Sequence, residues 1–223
     1  MPVDRSYHDP CGIARALDVV GERWALLVVR ELLLGPKRFS DLHRGLPGAS
    51  QNVLSHRLRE LTAKGVVRRR RLGPPAGAWV YELTEWGRDL EPVLLGLAFW
   101  GSRAPLGSDA ELSADALVIA MMTLFDARVA GDLDAVLAVR LDDDVFEVRI
   151  AGGRLEISRR APERPGAVIE SGVGVLRSLV FKGRPLAAAL EAGDVRLDGD
   201  RRLVERFVTL FPRPATVPSG TGA

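Results

Sequence analysis

Chain breakers crowd the first third of the sequence so closely that no long helix fits there. Gly21, Gly35-Pro36, Pro47-Gly48, Gly65 and the run Gly73-Pro74-Pro75-Ala76-Gly77 leave only short segments between them. Glycine is costly inside a helix, and proline both lacks a donor and clashes with the preceding turn. Residues 13–20 place Ile13, Ala16, Leu17 and Val20 at helical spacing. Residues 22–34, rich in Leu and Val, predict a second, largely buried helix with Trp24 as a core anchor. Residues 39–46 predict a short third helix with Ser40 as N-cap, and residues 50–64 a fourth, capped by Ser50 and stopped by Gly65. Residues 66–72 and 79–83 predict two strands around the Gly/Pro turn. Thr84 would cap a last helix from Glu85 to about Trp100. Three helices, a reading helix and a two-stranded hairpin follow the order of a winged helix-turn-helix, a shape that fits the width of a DNA major groove.

The stretch Gly101 to Ser113 is small, polar and punctuated by Gly and Pro, and predicts a linker at residues 104–112 between a domain at 1–103 and another at 113–212. Residues 213–223 hold few large apolar side chains and predict a disordered tail. In the second domain, residues 113–131 predict a helix with Leu117, Met121, Leu124, Phe125 and Val129 at core spacing; the pair Met121-Met122 is adaptable packing. Residues 135–141, 145–150 and 154–159 alternate as strands, with Leu137, Val139, Leu141, Phe146, Val148, Ile150, Leu155 and Ile157 on one apolar face. A fourth strand at 167–170, helices at 174–181 and 185–192, a fifth strand at 195–197 and a helix at 200–211 complete it. The expected class is α+β, with an antiparallel five-stranded sheet covered by helices. Asp142-Asp143-Asp144 reads as a solvated hairpin tip.

Charge is uneven along the chain. The net charge is +2, but residues 1–104 carry +5 and residues 105–223 carry −3. Only the front half is suited to a polyanion. The one cysteine, Cys11, excludes an internal disulfide framework and a multi-cysteine zinc site. His8, His43 and His56 are too scattered for a metal site, and no cofactor is expected. With no apolar run long enough to span a bilayer and no signal-peptide core, the expectation is a cytoplasmic, nucleoid-associated protein with no membrane partner. No nucleophile–base pair, metal cluster or phosphate loop is legible, so an enzyme is not expected.

On a helical wheel, Leu54, Leu58 and Leu61 fall on the core side of the fourth helix, and Asn52, Ser55, His56 and Arg59 fall opposite, flanked by Gln51 and Arg57. Asn and Gln can pair bidentately with adenine, Arg with guanine, and Ser with several base edges. Gln51, Asn52, Ser55, His56 and Arg59 are therefore the candidate base readers. Lys37, Arg38, Ser50, Arg57, Arg68, Arg69, Arg70, Arg71 and Gly77 are the candidate phosphate and wing contacts. Successive arginines on a strand point to opposite faces, so two of the four could reach phosphates while two brace the sheet or pair with acids such as Glu82.

The pattern Cys11, Ile13-Ala14, Gly21-Glu22-Arg23-Trp24, Arg30-Glu31-Leu32, Arg38-Phe39, Leu42 and Asn52 to Leu61, with Gly65-Val66-Val67 and Tyr81 to Gly87, resembles the HxlR family of bacterial winged-helix regulators over roughly residues 8–101. The resemblance implies a homodimer built through the first and last helices of the domain, with Ile13, Leu90, Val93, Leu94, Leu97 and Trp100 at the interface, on a two-fold symmetric operator in double-stranded DNA. It also makes Cys11 a candidate redox or electrophile sensor, although Cys11-Gly12 stands where such members carry Cys-Pro. Residues 168–170, 183–186, 190–200, Phe207 and Phe211-Pro212 are similar to the C-terminal part of sterol-carrier-type lipid-binding domains. That resemblance implies a tunnel for a hydrophobic small molecule or lipid, with Met121, Leu124, Phe125, Leu137, Val139, Phe146, Val148, Ile157, Leu179, Phe207 and Phe211 as candidate lining. The leading expectation is a DNA-binding regulator modulated by such a molecule. The alternatives are a Cys11-based sensor with a structural second domain, and a lipid carrier whose winged helix no longer binds DNA.

Overall fold

The computed structural model describes residues 6–105 and 110–217. The chain divides into two compact units, Met1–Leu94 and Leu95–Ala223. The division falls inside a helix rather than at residues 104–112, of which 106–109 lie outside the described residues.

The first unit contains α1 (Gly12–Val20), α2 (Ala25–Leu32), α3 (Phe39–Gly45), α4 (Gln51–Ala63), the antiparallel pair β1 (Val67–Arg71) and β2 (Trp79–Leu83), and α5 (Glu85–Arg88). The helix α6 (Glu91–Ser102) begins in it. Val28, Val29, Leu32, Leu42, Leu54, Leu58, Leu61, Val67 and Leu83 form the core, so every helix from α2 to α4 and both strands bury one face. Ser50 caps α4 by accepting the Val53 N–H at 3.3 Å, and Gly65 ends it with φ +75°, a conformation that β-carbon crowding denies to most residues. Gly87 allows a close approach of backbone to backbone: a β-carbon there would run into the Val66 carbonyl oxygen.

Local chemistry moves several expected boundaries. Trp24 sits at φ +77°, which breaks the helix expected from residue 22 and starts α2 at Ala25. The helix α3 begins after Arg38 with no side-chain cap, and Ser40 lies within it. The helix expected from Glu85 to Trp100 is two helices. Pro92 has no N–H to continue the first of them and its ring clashes with the preceding turn, so α6 starts afresh at Glu91.

The second unit holds α7 (Ala114–Leu124), α8 (Ala127–Ala130), β3 (Ala135–Leu141), β4 (Asp144–Ala151), β5 (Arg154–Ser158), β6 (Ala167–Ser171), α9 (Val173–Phe181), α10 (Leu186–Glu191), β7 (Val195–Gly199) and α11 (Arg201–Phe207). The helix expected over 113–131 is interrupted because the Asp126 carboxylate takes the Arg128 N–H at 2.9 Å and caps a new turn. The strand order is β5-β4-β3-β6-β7, and β3 pairs in parallel with β6. The sheet is therefore mixed, not antiparallel as the sequence predicted. Alternation reveals which face of a strand is buried but not which neighbour it pairs with; residues 159–166 carry the chain from β5 across to the far side of β3. The helix expected over 200–211 ends at Phe207. Of the tail, residues 213–217 carry no helix or strand, yet the Val217 N–H donates to the Arg103 carbonyl at 2.8 Å; residues 218–223 lie outside the described residues. No helix among the described residues is long and apolar enough to cross a membrane.

Candidate nucleic-acid interface

The outward side of α4 carries Gln51, Asn52, His56 and Arg59, all exposed, with Ser55 half-buried at its flank. The wheel places Asn52, Ser55, His56 and Arg59 opposite Leu54, Leu58 and Leu61, each of the three leucines no more than 1% exposed, and Gln51 on the flank. The Arg59 Nε donates to the Ser55 carbonyl at 3.4 Å, and His56 Nε2 lies 3.1 Å from the Glu60 carboxylate one turn on.

Two cations expected at phosphates are held in ion pairs within the fold. Arg57 is 8% exposed, and its guanidinium reaches Glu60 and, at 3.4 Å, Glu22 in the turn between α1 and α2. Its wheel angle is on the flank of the reading surface, but the fold brings an acid across to draw it inward. Lys37 places its Nζ 2.8 Å from Glu31, which is wholly buried and also takes Arg30 at 2.8 Å. Together with the paired backbone bonds between Lys37 and Tyr81, this ties the entry of α3 to the second wing strand. Arg38 remains exposed beside it, and Ser50 is exposed but has its hydroxyl engaged as the α4 cap.

The wing sorts its arginines by strand parity. Arg68 lies opposite Glu82 and Arg70 opposite Val80, on one face; Arg69 lies opposite Tyr81 and Arg71 opposite Trp79, on the other. Arg68 and Arg70 each place Nε 2.7 Å from a different oxygen of Glu82, which is 4% exposed. Arg69 stacks on Trp79 with 4.6 Å to the ring centroid, and Arg71 Nε donates to the Gly77 carbonyl at 3.0 Å. All four arginines are exposed, so each remains open to solvent while its stem is held in place. Arginine held this way loses less entropy on meeting a phosphate than a free side chain would.

Burial pushes the Glu82 carboxyl toward a raised pKa, but hydrogen bonds from Arg70 and Arg68, with their charges, outweigh it and hold the group below the ordinary glutamate range. A depressed folded-state pKa contributes stability that is fully present above the unfolded value and is lost as pH falls through the folded value. The wing is therefore expected to be insensitive to pH near neutrality and to loosen only in acid below the normal glutamate range. Amide exchange of β1 and β2 followed from pH 7 to pH 3 checks this. Glu82→Gln should weaken protection at pH 7 and remove the acid dependence.

Among the interface candidates, Ile13 is 74% exposed, Val93 58%, Leu97 47% and Trp100 72%. Leu94 is the exception: it is buried in the core of the first unit, so it is a packing residue. Leu90 is half-buried and lines a groove of about 390 Å³ between α1 and α5, with Val19 and Trp86. Cys11 is an exposed free thiol at the N-terminus of α1, its N–H donating to Asp9 at 2.9 Å.

In the second unit, most of the candidate ligand-lining residues are buried. Met121, Leu137, Val139, Phe146, Val148 and Phe207 are at most 1% exposed, and Ile157 is also buried. Leu124 and Phe125 are half-buried, Phe125 and Phe207 lying 6.4 and 5.3 Å from the Phe211 ring. Leu179 and Phe211 line a groove, about 500 Å³ in volume, together with Phe181, Leu186 and Val208.

Val53 is an exposed, branched α4 residue that a core-versus-polar wheel passes over. The wheel sorts by polarity and gives an apolar side chain no place on a reading surface.

A polar-faced helix beside an arginine-bearing hairpin, both built on one three-helix core, defines a winged helix-turn-helix. The family model described as HxlR-like helix-turn-helix matches residues 19–106, and the chain belongs to this family. The HTH-type transcriptional regulator YvaP of Bacillus subtilis is 39% identical over 88 residues, covering 40% of this chain and 82% of that protein. YybR of the same organism, also described as an HTH-type transcriptional regulator, is 37% identical over 91 residues, covering 41% and 73%. The solved structure of the redox regulator HypR in its oxidized form is 35% identical, with a TM-score of 0.40, covering 43% of this chain and 99% of that one.

Proposed function

We propose that this chain is a sequence-specific double-stranded DNA-binding transcriptional regulator acting as a homodimer in the bacterial cytoplasm. Residues 1–103 do the binding. The observation that carries the reading is the outward side of α4, where Asn52, His56 and Arg59 stand exposed while the opposite side is locked in the core. Such a surface can exchange hydrogen bonds with base edges. Arg69 and Arg71 of the wing, with Arg38, supply phosphate contacts that set position and salt dependence. The exposed Ile13, Val93, Leu97 and Trp100 support self-association, since a second copy covering them would remove their apolar surface from water.

Residues 113–212 are the effector part, in keeping with their sterol-carrier-type sequence pattern. The groove beside Leu179 and Phe211 has the size of common small-molecule sites, and its apolar lining of Val180, Phe181 and Leu186 is joined by Arg184, Glu205 and Arg213. A hydrophobic molecule there would act on DNA binding only by favouring one conformation over another.

Sequencing the genomic fragments that co-purify with the protein tests the DNA assignment. The expected result is a small set of fragments sharing a two-fold symmetric motif with half-sites about one helical turn apart. Fragments distributed like the input genome would overturn it. Mass spectrometry of small molecules retained by the native protein tests the effector part, which a ligand-free result from several hosts would overturn.

A further inference from the structure

We infer that Val53 is a specificity-determining residue that reads the C5 methyl group of a pyrimidine in the major groove. This rests on the DNA-reading assignment above and extends it from hydrogen bonds to an apolar contact.

Val53 lies in the first turn of α4, the part of a reading helix that meets base edges. It is 39% exposed, whereas Leu54, Leu58 and Leu61 on the same helix are each no more than 1% exposed. The local fold gains little from it. A β-branched side chain lowers helix propensity, and the core is already filled by its leucine neighbours. Its backbone is nevertheless held firmly, because its N–H donates to the Ser50 hydroxyl at 3.3 Å. The side chain therefore projects from a fixed point, beside exposed Gln51 and Asn52 and one turn from His56.

Base edges in the major groove present donors, acceptors and one kind of apolar group, the thymine methyl. An isopropyl group entering that groove finds no other apolar partner on a base. Cytosine methylated at C5 presents the same group at the same place, so the residue would respond to the methyl group rather than to the base that carries it.

The test uses duplexes that the wild-type protein selects from a random pool. Each thymine is replaced in turn by uracil, and each cytosine by 5-methylcytosine; neither change alters the pattern of donors and acceptors. At one position in each half-site, losing the methyl should weaken wild-type binding about fourfold. If that position accepts cytosine, methylating it should strengthen binding by a similar factor. Val53→Ala, a change toward a better helix former at an exposed site, should fold normally and show a clearly smaller methyl dependence while keeping its other base preferences. The inference is overturned if no position is methyl-sensitive, or if Val53→Ala keeps the same sensitivity. Failure of the wild-type protein to select any duplex would overturn the DNA reading itself, and the inference with it.

Discussion

Glu31→Ala is expected to destabilise the first unit by about 3–5 kcal/mol, the cost of breaking a buried ion pair by removing one partner. Glu31 is wholly buried and holds Arg30 and Lys37, each at 2.8 Å, the latter from a side chain only 10% exposed. Gly45 packs directly on the same carboxylate: a β-carbon there would strike it, and the two cations leave it little freedom to retreat. Gly45→Ala should therefore act in the same direction. Against a typical total of 5–15 kcal/mol the loss is large, and it should lower the midpoint of thermal unfolding of this unit by roughly 15–30 °C. Circular dichroism melts give the size of the effect, and amide exchange gives its place, with α2, α3 and β2 losing protection together. A shift of only a few degrees would mean that the Glu31 cluster does not organise the domain.

The largest functional loss is expected from Asn52→Ala combined with Arg59→Ala. Each bidentate base contact is worth about 1–3 kcal/mol of discrimination, so the pair should cost roughly thirty- to twenty-thousand-fold in affinity for each half-site of the selected duplex. Both side chains are exposed and neither supports the core, so the melting temperature should stay within a few degrees of wild type. Weak binding to random duplex should persist with its salt dependence, because the wing arginines remain. Arg69→Ala should behave in the opposite way: a uniform loss on all sequences, with the slope of log K against log salt shallower by about 0.9 for each phosphate contact removed. Anisotropy titrations on selected and random duplexes at several salt concentrations separate the two patterns.

How much of this was legible from the sequence differs from residue to residue. The reading helix could be bounded because its signals are local: Ser50 caps, Gly65 stops, and three leucines at helical spacing name the inward side. The second wing strand, Trp79–Leu83, was equally clear from its flanking turn and from Thr84. Strand parity even divided the four arginines, with Glu82 as the partner of two. What failed depended on partners distant in sequence. Nothing near Arg57 announces Glu22, thirty-five residues away, and without that contact Arg57 looks like a surface cation. The Lys37 ion pair was hidden for the same reason, since Glu31 comes within reach only after the turn that ends α2. The parallel pairing of β3 with β6 likewise depends on a crossover that alternation does not encode. In the candidate ligand list, apolar spacing identified the residues that face inward, but a filled core and a tunnel give the same pattern.

The account stands on the outward side of α4 entering the major groove, and the N7 acceptors of the purines test this most directly. The selected duplex is titrated at physiological salt beside a copy in which every adenine and guanine is the 7-deaza analogue, which keeps Watson–Crick pairing and the phosphate charge but lacks N7. The copy should bind no better than random duplex, since Asn, Gln and Arg lose half of each bidentate pair. Equal binding of the two duplexes, or no binding to either even in dilute salt, would contradict the account.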